Sequence, residues 1–224
     1  MNQDIEVNYQ NCTFLTDEWM GGRMKVGKYE VEELNLLEYI PDINELTVLE
    51  LGGCLGVVSV VLNKKLNNPE KHIVIEANPK LIKYLEHNKK INNCSFVVKN
   101  ALMTPNKNNN IFYSYDKLVA GSAHRLDNNE SNKTQHIIDT ITLEELEAQV
   151  EYNFDLLVID IEGGELEFLE NFDISKFKYI LVELHENLMY SGFNNKCIHI
   201  LNSEGFIVLK YFGNSVLLKN NHPS

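Results

Sequence analysis

The chain has 224 residues, 44% hydrophobic and 23% charged, enough for one compact domain with a real core and too few for two ordinary enzyme domains. Its 20 basic and 32 acidic residues leave a net charge of -12, which argues against a duplex-binding protein, because phosphate neutralisation needs a basic footprint. No apolar run approaches the ~20 residues of a membrane helix, the first residues do not read as a signal peptide, and Cys12, Cys54, Cys94 and Cys197 form no close pair, so a cytoplasmic protein with reduced thiols and no zinc site is expected.

Residues 1–28 show little periodicity and are broken by Gly21, Gly22 and Gly27. Apolar residues near helical spacing predict a helix over 29–40, stopped by Pro41. Strand and helix then alternate: a strand at 47–51, a helix from about 57 to 66, a strand at 72–77, a helix started by Pro79 and running to 91, and a strand at 95–99. Between 103 and 141 the pattern changes to two alternating stretches, 111–115 and 135–141, around a polar loop. This reads as a β insertion on the α/β frame. Thr142 with Glu145 forms a capping box for a helix to about 150. A strand at 154–159, a helix at 165–172, a strand at 179–184 and a helix at 194–203 follow. The chain closes with two stretches, 206–212 and 215–219, flanking Gly213-Asn214 as a two-residue hairpin turn. The alternation predicts a single α/β domain with a parallel, doubly wound sheet whose last strand runs antiparallel.

Composition adds one observation. Asparagine is frequent, at 29 residues, and its clusters at 106–110 and 128–129 read as soft loops. The 18 Lys stand against only 2 Arg, Arg23 and Arg125, positions where a planar fork is of use.

The motifs fall at strand ends. The first strand of the frame runs into Glu50-Leu51-Gly52-Gly53-Cys54-Leu55-Gly56, where glycine lets the backbone approach a ligand and the next helix start faces it. The spacing is not the Gly-x-Gly-x-x-Gly of a dinucleotide site, and a nucleotide-dependent dehydrogenase is the rival it disfavours. Glu76 closes the second strand, where a carboxylate can accept from both hydroxyls of a ribose. Asn100-Ala101 closes the third, an amide and a small residue that could bracket an adenine. The fourth ends in Asp160, with Glu162 and Glu165 read as caps of the following helix. The fifth ends in Glu183-Leu184-His185, with His185 read either as a satisfied surface residue or as a catalytic group.

These residues resemble the class I S-adenosylmethionine-dependent methyltransferases, and within them the FkbM family. The likeness rests on Glu50-x-Gly52-Gly53-x-x-Gly56, Glu76-Ala77-Asn78-Pro79, Asp160-Ile161-Glu162-Gly163-Gly164-Glu165, Glu183-Leu184-His185 and the upstream Gly27-x-Tyr29-Glu30. It implies a Rossmann-like fold with a mostly parallel seven-stranded sheet, an antiparallel last strand and the insertion after the third strand. It implies S-adenosylmethionine as cofactor, with Gly52, Gly53, Cys54 and Gly56 at the methionine part, Glu76 at the ribose, Asn100 and Ala101 at the adenine, Asp160 near the methionine ammonium or the methyl, and Glu50, Ala77 and Asn78 as further cofactor-binding residues. Cys54 and Ala77 depart from the family pattern, which usually carries Asn or Gly at the first position and often a proline at the second.

The family typically methylates hydroxyl groups, often on sugars. The acceptor is therefore expected to be a small molecule, a sugar or nucleotide-linked sugar of surface polysaccharide biosynthesis, with another small-molecule or protein acceptor and a non-catalytic relative as alternatives. His185 is the first choice for the base that takes the acceptor proton, because imidazole titrates near neutrality. Asp160 is second and His124 third. Arg23 or Arg125 is expected to grip a phosphate, and Tyr29, His124 and Glu162 to touch the acceptor. Residues 1–40 form a cap segment and 103–141 an acceptor wall. The resemblance leaves open a Mg²⁺ held by Asp160 and neighbouring acids, as in related sugar methyltransferases, but the acids have no spacing that demands a metal, so none is expected. No nucleic acid or membrane partner is expected, and a homo-oligomer is left open.

Overall fold

The computed structural model of the protein describes residues 4–105, 110–115, 121–122 and 133–222. Strands β1 (Asp4–Tyr9) and β2 (Cys12–Asp17) form a hairpin turned by Gln10 and Asn11, both left-handed with φ of 50° and 57°. Val7, Tyr9, Cys12 and Phe14 alternate into the core. This corrects the expectation of an unpatterned start; Gln-Asn replaces the usual Asn-Gly signal at the turn. Asp17 caps α1 (Glu18–Lys25), accepting the Met20 N–H at 2.8 Å. Helix α2 (Val31–Leu37) is shorter than expected, since Glu30 stands before it in left-handed conformation with φ 52°.

The α/β frame follows as β3 (Val48–Leu51), α3 (Val57–Asn63), β4 (His72–Glu76), α4 (Pro79–Ile91) and β5 (Val97–Asn100). The insertion holds β6 (Leu102–Met103), β7 (Ile111–Tyr115), β8 (Gly121–Ser122), β9 (Lys133–Ile137) and β10 (Thr140–Ile141). In it β7 lies antiparallel between β8 and β9, and β10 pairs parallel with β6 at the base. Then come α5 (Leu143–Val150), opened by the Thr142/Glu145 capping box, and β11 (Leu156–Ile159), α6 (Glu165–Asn171), β12 (Tyr179–Glu183), α7 (Phe193–Ser203), β13 (Phe206–Phe212) and β14 (Ser215–Asn220).

One sheet of seven strands, in the order β13-β14-β12-β11-β3-β4-β5, carries the fold. Strands β12, β11, β3, β4 and β5 are parallel, and β14 runs antiparallel between β12 and β13. Alternate residues feed two cores. Val48, Val74, Val158 and Leu181 pack on one face, and Leu49, Ile73, Leu157 and Ile180 on the other. Because these strands are parallel, their carboxyl ends share one edge, and the crevice outside that edge is where ligands bind in such folds.

Candidate active site

At the end of β3 the chain turns sharply. Gly52, Cys54 and Gly56 all have positive φ, at 91°, 47° and 80°. Gly52 must be glycine for a second reason, since a Cβ there would lie 1.7 Å from the carbonyl oxygen of Asp160. Cys54 pays for its own left-handed backbone with two contacts: its N–H donates to Glu76 Oε2 at 2.7 Å, and its Sγ lies 3.2 Å from the Tyr29 hydroxyl. Tyr29 is itself held, because the Tyr9 hydroxyl donates to its carbonyl at 2.7 Å. The N-terminal hairpin thus braces the glycine elbow.

Glu76 is buried at the tip of β4, and its second oxygen accepts the Asn78 N–H at 2.6 Å. Burial pushes its carboxyl up to about 7, against these two backbone N–H bonds. Each oxygen keeps a second lone pair, and Glu76 lines the cavity. Asn78 is 1% exposed, lines the cavity, and its Nδ2 has no hydrogen-bond partner among the described residues. A buried donor beside a buried carboxylate fits the hydroxyl groups and ring oxygen of a ribose. Ala77, Leu81, Ala101, Leu102 and Phe112 give the same cavity apolar walls, and its volume of about 780 Å³ lies in the range for a drug-sized ligand, with room for an acceptor.

Farther along the rim lies His185, only 6% exposed. Its Nδ1 is 2.6 Å from Oε1 of the fully buried Glu165. Its Nε2 faces three carboxylates, 3.6 Å from Asp160, 3.7 Å from Glu162 and 3.8 Å from Glu183. Burial opposes the imidazolium, but Glu165, Glu162 and Glu183 outweigh it and raise its pKa to about 9. The imidazole therefore does not titrate near neutrality as expected. Helix α2 supplies more acid: Glu33 accepts from the Ser215 hydroxyl, and Glu32 from the Asn214 N–H at 2.9 Å, pinning the helix to the β13–β14 turn. Burial, then the neighbouring acids, raise Asp160 well above the usual carboxylate range, Glu183 to about 7 and Glu30 to about 8. Such a bowl favours positive charge or hydrogen-bond donors. Donor atoms of Asp160, Glu183 and His185 lie within 4.8 Å of one another, a spacing one cation could bridge, as do those of Glu32, Glu33 and Glu183.

Of the residues singled out in the sequence, Arg23, Tyr29, Gly52, Cys54, Glu76, Ala77, Asn78, Ala101, Asp160, Glu162 and His185 line this cavity. Glu50 does not. It sits two residues short of the strand edge, in register with Val74 and Val158, where Oε1 accepts from Ser59 at 2.7 Å and Oε2 from His72 Nε2 at 2.8 Å. Gly53 and Gly56 lie behind the wall, packed against Leu85. Asn100 does not reach the cavity either, because its Nδ2 donates to the carbonyls of Glu76 and Ala77 at 2.8 and 3.3 Å. Arg23 stacks over Trp19 at 5.6 Å and donates to the Lys28 carbonyl at 3.1 Å. His124 and Arg125 lie outside the described residues. The sequence reading did not single out Trp19 or Glu33 among its sites. An acid at Glu33, one turn before Leu37 on the buried face of α2, was the available signal for the second.

Over residues 50–208 the sequence matches the family described as Methyltransferase FkbM domain. None of the curated proteins matches. Similar solved structures include the ribosomal protein L11 methylase of Lactobacillus delbrueckii subsp. bulgaricus, 12% identical, with 90% of this chain and 82% of that one covered and a TM-score of 0.50. A transferase of Pyrococcus horikoshii is 12% identical over 98% of this chain and 72% of that one, with a TM-score of 0.51. The tRNA m1G37 methyltransferase of M. jannaschii is 10% identical over 99% of this chain and 55% of that one, with a TM-score of 0.50. At these identities the likeness is one of fold.

Proposed function

Because the chain belongs to the FkbM methyltransferase family and so uses S-adenosylmethionine as methyl donor, we propose that it methylates a hydroxyl group of a sugar or nucleotide-linked sugar, in the building of a surface polysaccharide. The observation that carries this reading is the bowl of Asp160, Glu162 and Glu183 around His185 Nε2. Carboxylates accept from the several hydroxyls of a sugar, and one hydroxyl must also lose its proton. At the mouth Trp19, 49% exposed, offers an apolar face to sugar C–H groups, and Arg23 and Lys28 give positive charge for a phosphate. In this reading residues 1–40 cap the acceptor, and the insertion is its opposite wall through Met103, Thr104, Pro105 and Phe112.

The reaction is an in-line displacement. The donor supplies a methyl group already activated by the sulfonium charge. When bound, the donor would supply that methyl in line to the acceptor oxygen with the carbon–sulfur electron pair left on sulfur, and His185 Nε2 would take the hydroxyl proton. The elbow from Gly52 to Cys54 and the Glu76–Asn78 corner hold the donor by its methionine and ribose ends. Asp160, whose backbone packs on Gly52, joins the elbow to the acceptor side. The protein mainly aligns these groups at near-attack distance. With a resting pKa of about 9, His185 is charged at neutral pH, and positive charge entering the bowl favours loss of its proton. Asp160 is the second candidate for this role.

The test is a screen of nucleotide-sugars and free sugars with S-adenosylmethionine, read by mass spectrometry for the gain of one methyl group. A methylated sugar is the expected product. Methylation confined to amines, peptides or RNA would overturn the sugar reading while leaving the methyltransferase intact.

A further inference from the structure

We propose that Glu165 is a positioning residue for methyl transfer: its carboxylate holds His185 by Nδ1 and so leaves Nε2 as the nitrogen that meets the acceptor. This rests on the reading of His185 as the proton acceptor. The sequence suggests a plainer role, since Glu165 is the first residue of α6 and an acid there favours the helix dipole. An exposed carboxylate would serve that purpose. Glu165 is instead 0% exposed, and removing a carboxylate from water costs far more than a helix terminus returns.

What offsets that burial is specific. Oε1 accepts the Gly163 N–H at 3.1 Å and lies 2.6 Å from His185 Nδ1, while Oε2 has no hydrogen-bond partner among the described residues. The imidazole is therefore the main compensation for a fully buried acid, and a half-satisfied buried group marks a functional place in a fold. The same oxygen also ties down the turn that delivers Asp160 and Glu162, where Glu162 and Gly163 have φ of 50° and 96°. One carboxylate thus fixes both sides of the gap between Nε2 and the rim acids. Glu183 on β12 closes the gap from a third side, and Glu33 on α2 adds its charge. With Nδ1 committed to Glu165, the neutral ring carries its proton there and its lone pair on Nε2.

Nitrogen-15 NMR of the full-length protein tests this without any variant. The neutral His185 ring is expected as the Nδ1–H form, titrating above the range of free imidazole; an Nε2–H form would overturn the proposal. Glu165→Gln keeps an acceptor oxygen but loses the charge. It is expected to lower the His185 titration by about one pH unit or more, to move the acid limb of kcat with it, and to leave S-adenosylmethionine affinity unchanged. Glu165→Leu, which also loses the acceptor, is expected to cost about tenfold or more in kcat with little change in KM. An unaltered His185 titration in Glu165→Gln would overturn the proposal. Full turnover in His185→Asn would remove His185 as base, and is distinguishable because the NMR result would stand.

Discussion

Burial alone would make His185 a weaker base than free imidazole, and Glu165, Glu162 and Glu183 reverse that, carrying it to about 9. Because the neutral ring is the one that accepts a proton, kcat/KM for the donor, which follows the free protein, is expected to rise with pH between about 7 and 9, and a flat kcat/KM profile across that window would remove His185 as base. His185→Asn should bind S-adenosylmethionine normally and lose ~10²- to 10⁴-fold in turnover, measured by single-turnover methylation. Glu76→Gln should weaken donor binding by about tenfold or more, because its amide nitrogen must face a backbone N–H or the ribose where an oxygen accepted before. How much of this was legible in the sequence depended on what each side chain does besides sitting at a strand end. Glu76, Asp160 and His185 were found by that position alone. Glu50 was not separable from them by motif, and the pleat does not separate them either, since Glu50 is in register with Val74 and Val158, two residues before Glu76 and Asp160 on the same face. Asn100 also ends a strand but stands off the cavity lining, because its Nδ2 is engaged by the Glu76 and Ala77 carbonyls at the end of the neighbouring strand, which motif spacing does not show.

The elbow after β3 is a piece of sheet packing as much as a ligand loop. Gly52→Ala would put a methyl carbon against the Asp160 carbonyl and force φ 91° on an L-residue, so the variant is expected to lose several degrees or more in Tm along with all donor binding. Retention of both would show that β3 and β11 have room to part. The cap segment yields a separate expectation: Trp19→Ala should raise the acceptor KM and leave donor affinity and the fold unchanged, since Trp19 is half exposed on the cavity lining. The alternation of strands and helices from β3 to α7 was readable because each apolar run is long enough to set its own period. The β1–β2 hairpin was missed for the opposite reason. Its turn uses Gln10 and Asn11, whose left-handed backbone has no glycine to announce it, and β1 keeps polar residues such as Glu6 and Asn8 between its apolar ones.

Seen together, the acids around the crevice make the protein's stability depend on pH in one direction. Burial raises Glu76 and Glu183 to about 7 and Glu30 to about 8, and raises Asp160, Glu33 and Glu162 as well. His185 is raised to about 9 by its acidic partners. A group whose pKa is higher folded than unfolded binds more protons in the folded state, so its stabilisation is present at low pH and lost as pH rises through the folded value. The donor-free protein should therefore show a falling Tm from about pH 5 to pH 9, by differential scanning calorimetry, and a Tm that rises over that window would contradict these shifts. Adding S-adenosylmethionine should restore Tm most at the alkaline end, where the bowl carries the most negative charge.

Isothermal titration of S-adenosylhomocysteine into the full chain, wild type beside Glu76→Gln, bears most directly on whether the strand-end crevice holds the donor. One molecule bound per chain, and binding weakened by about tenfold or more in the variant, is the expected outcome. An absence of binding heat in the wild type at several temperatures, or equal affinity in the two proteins, would contradict it.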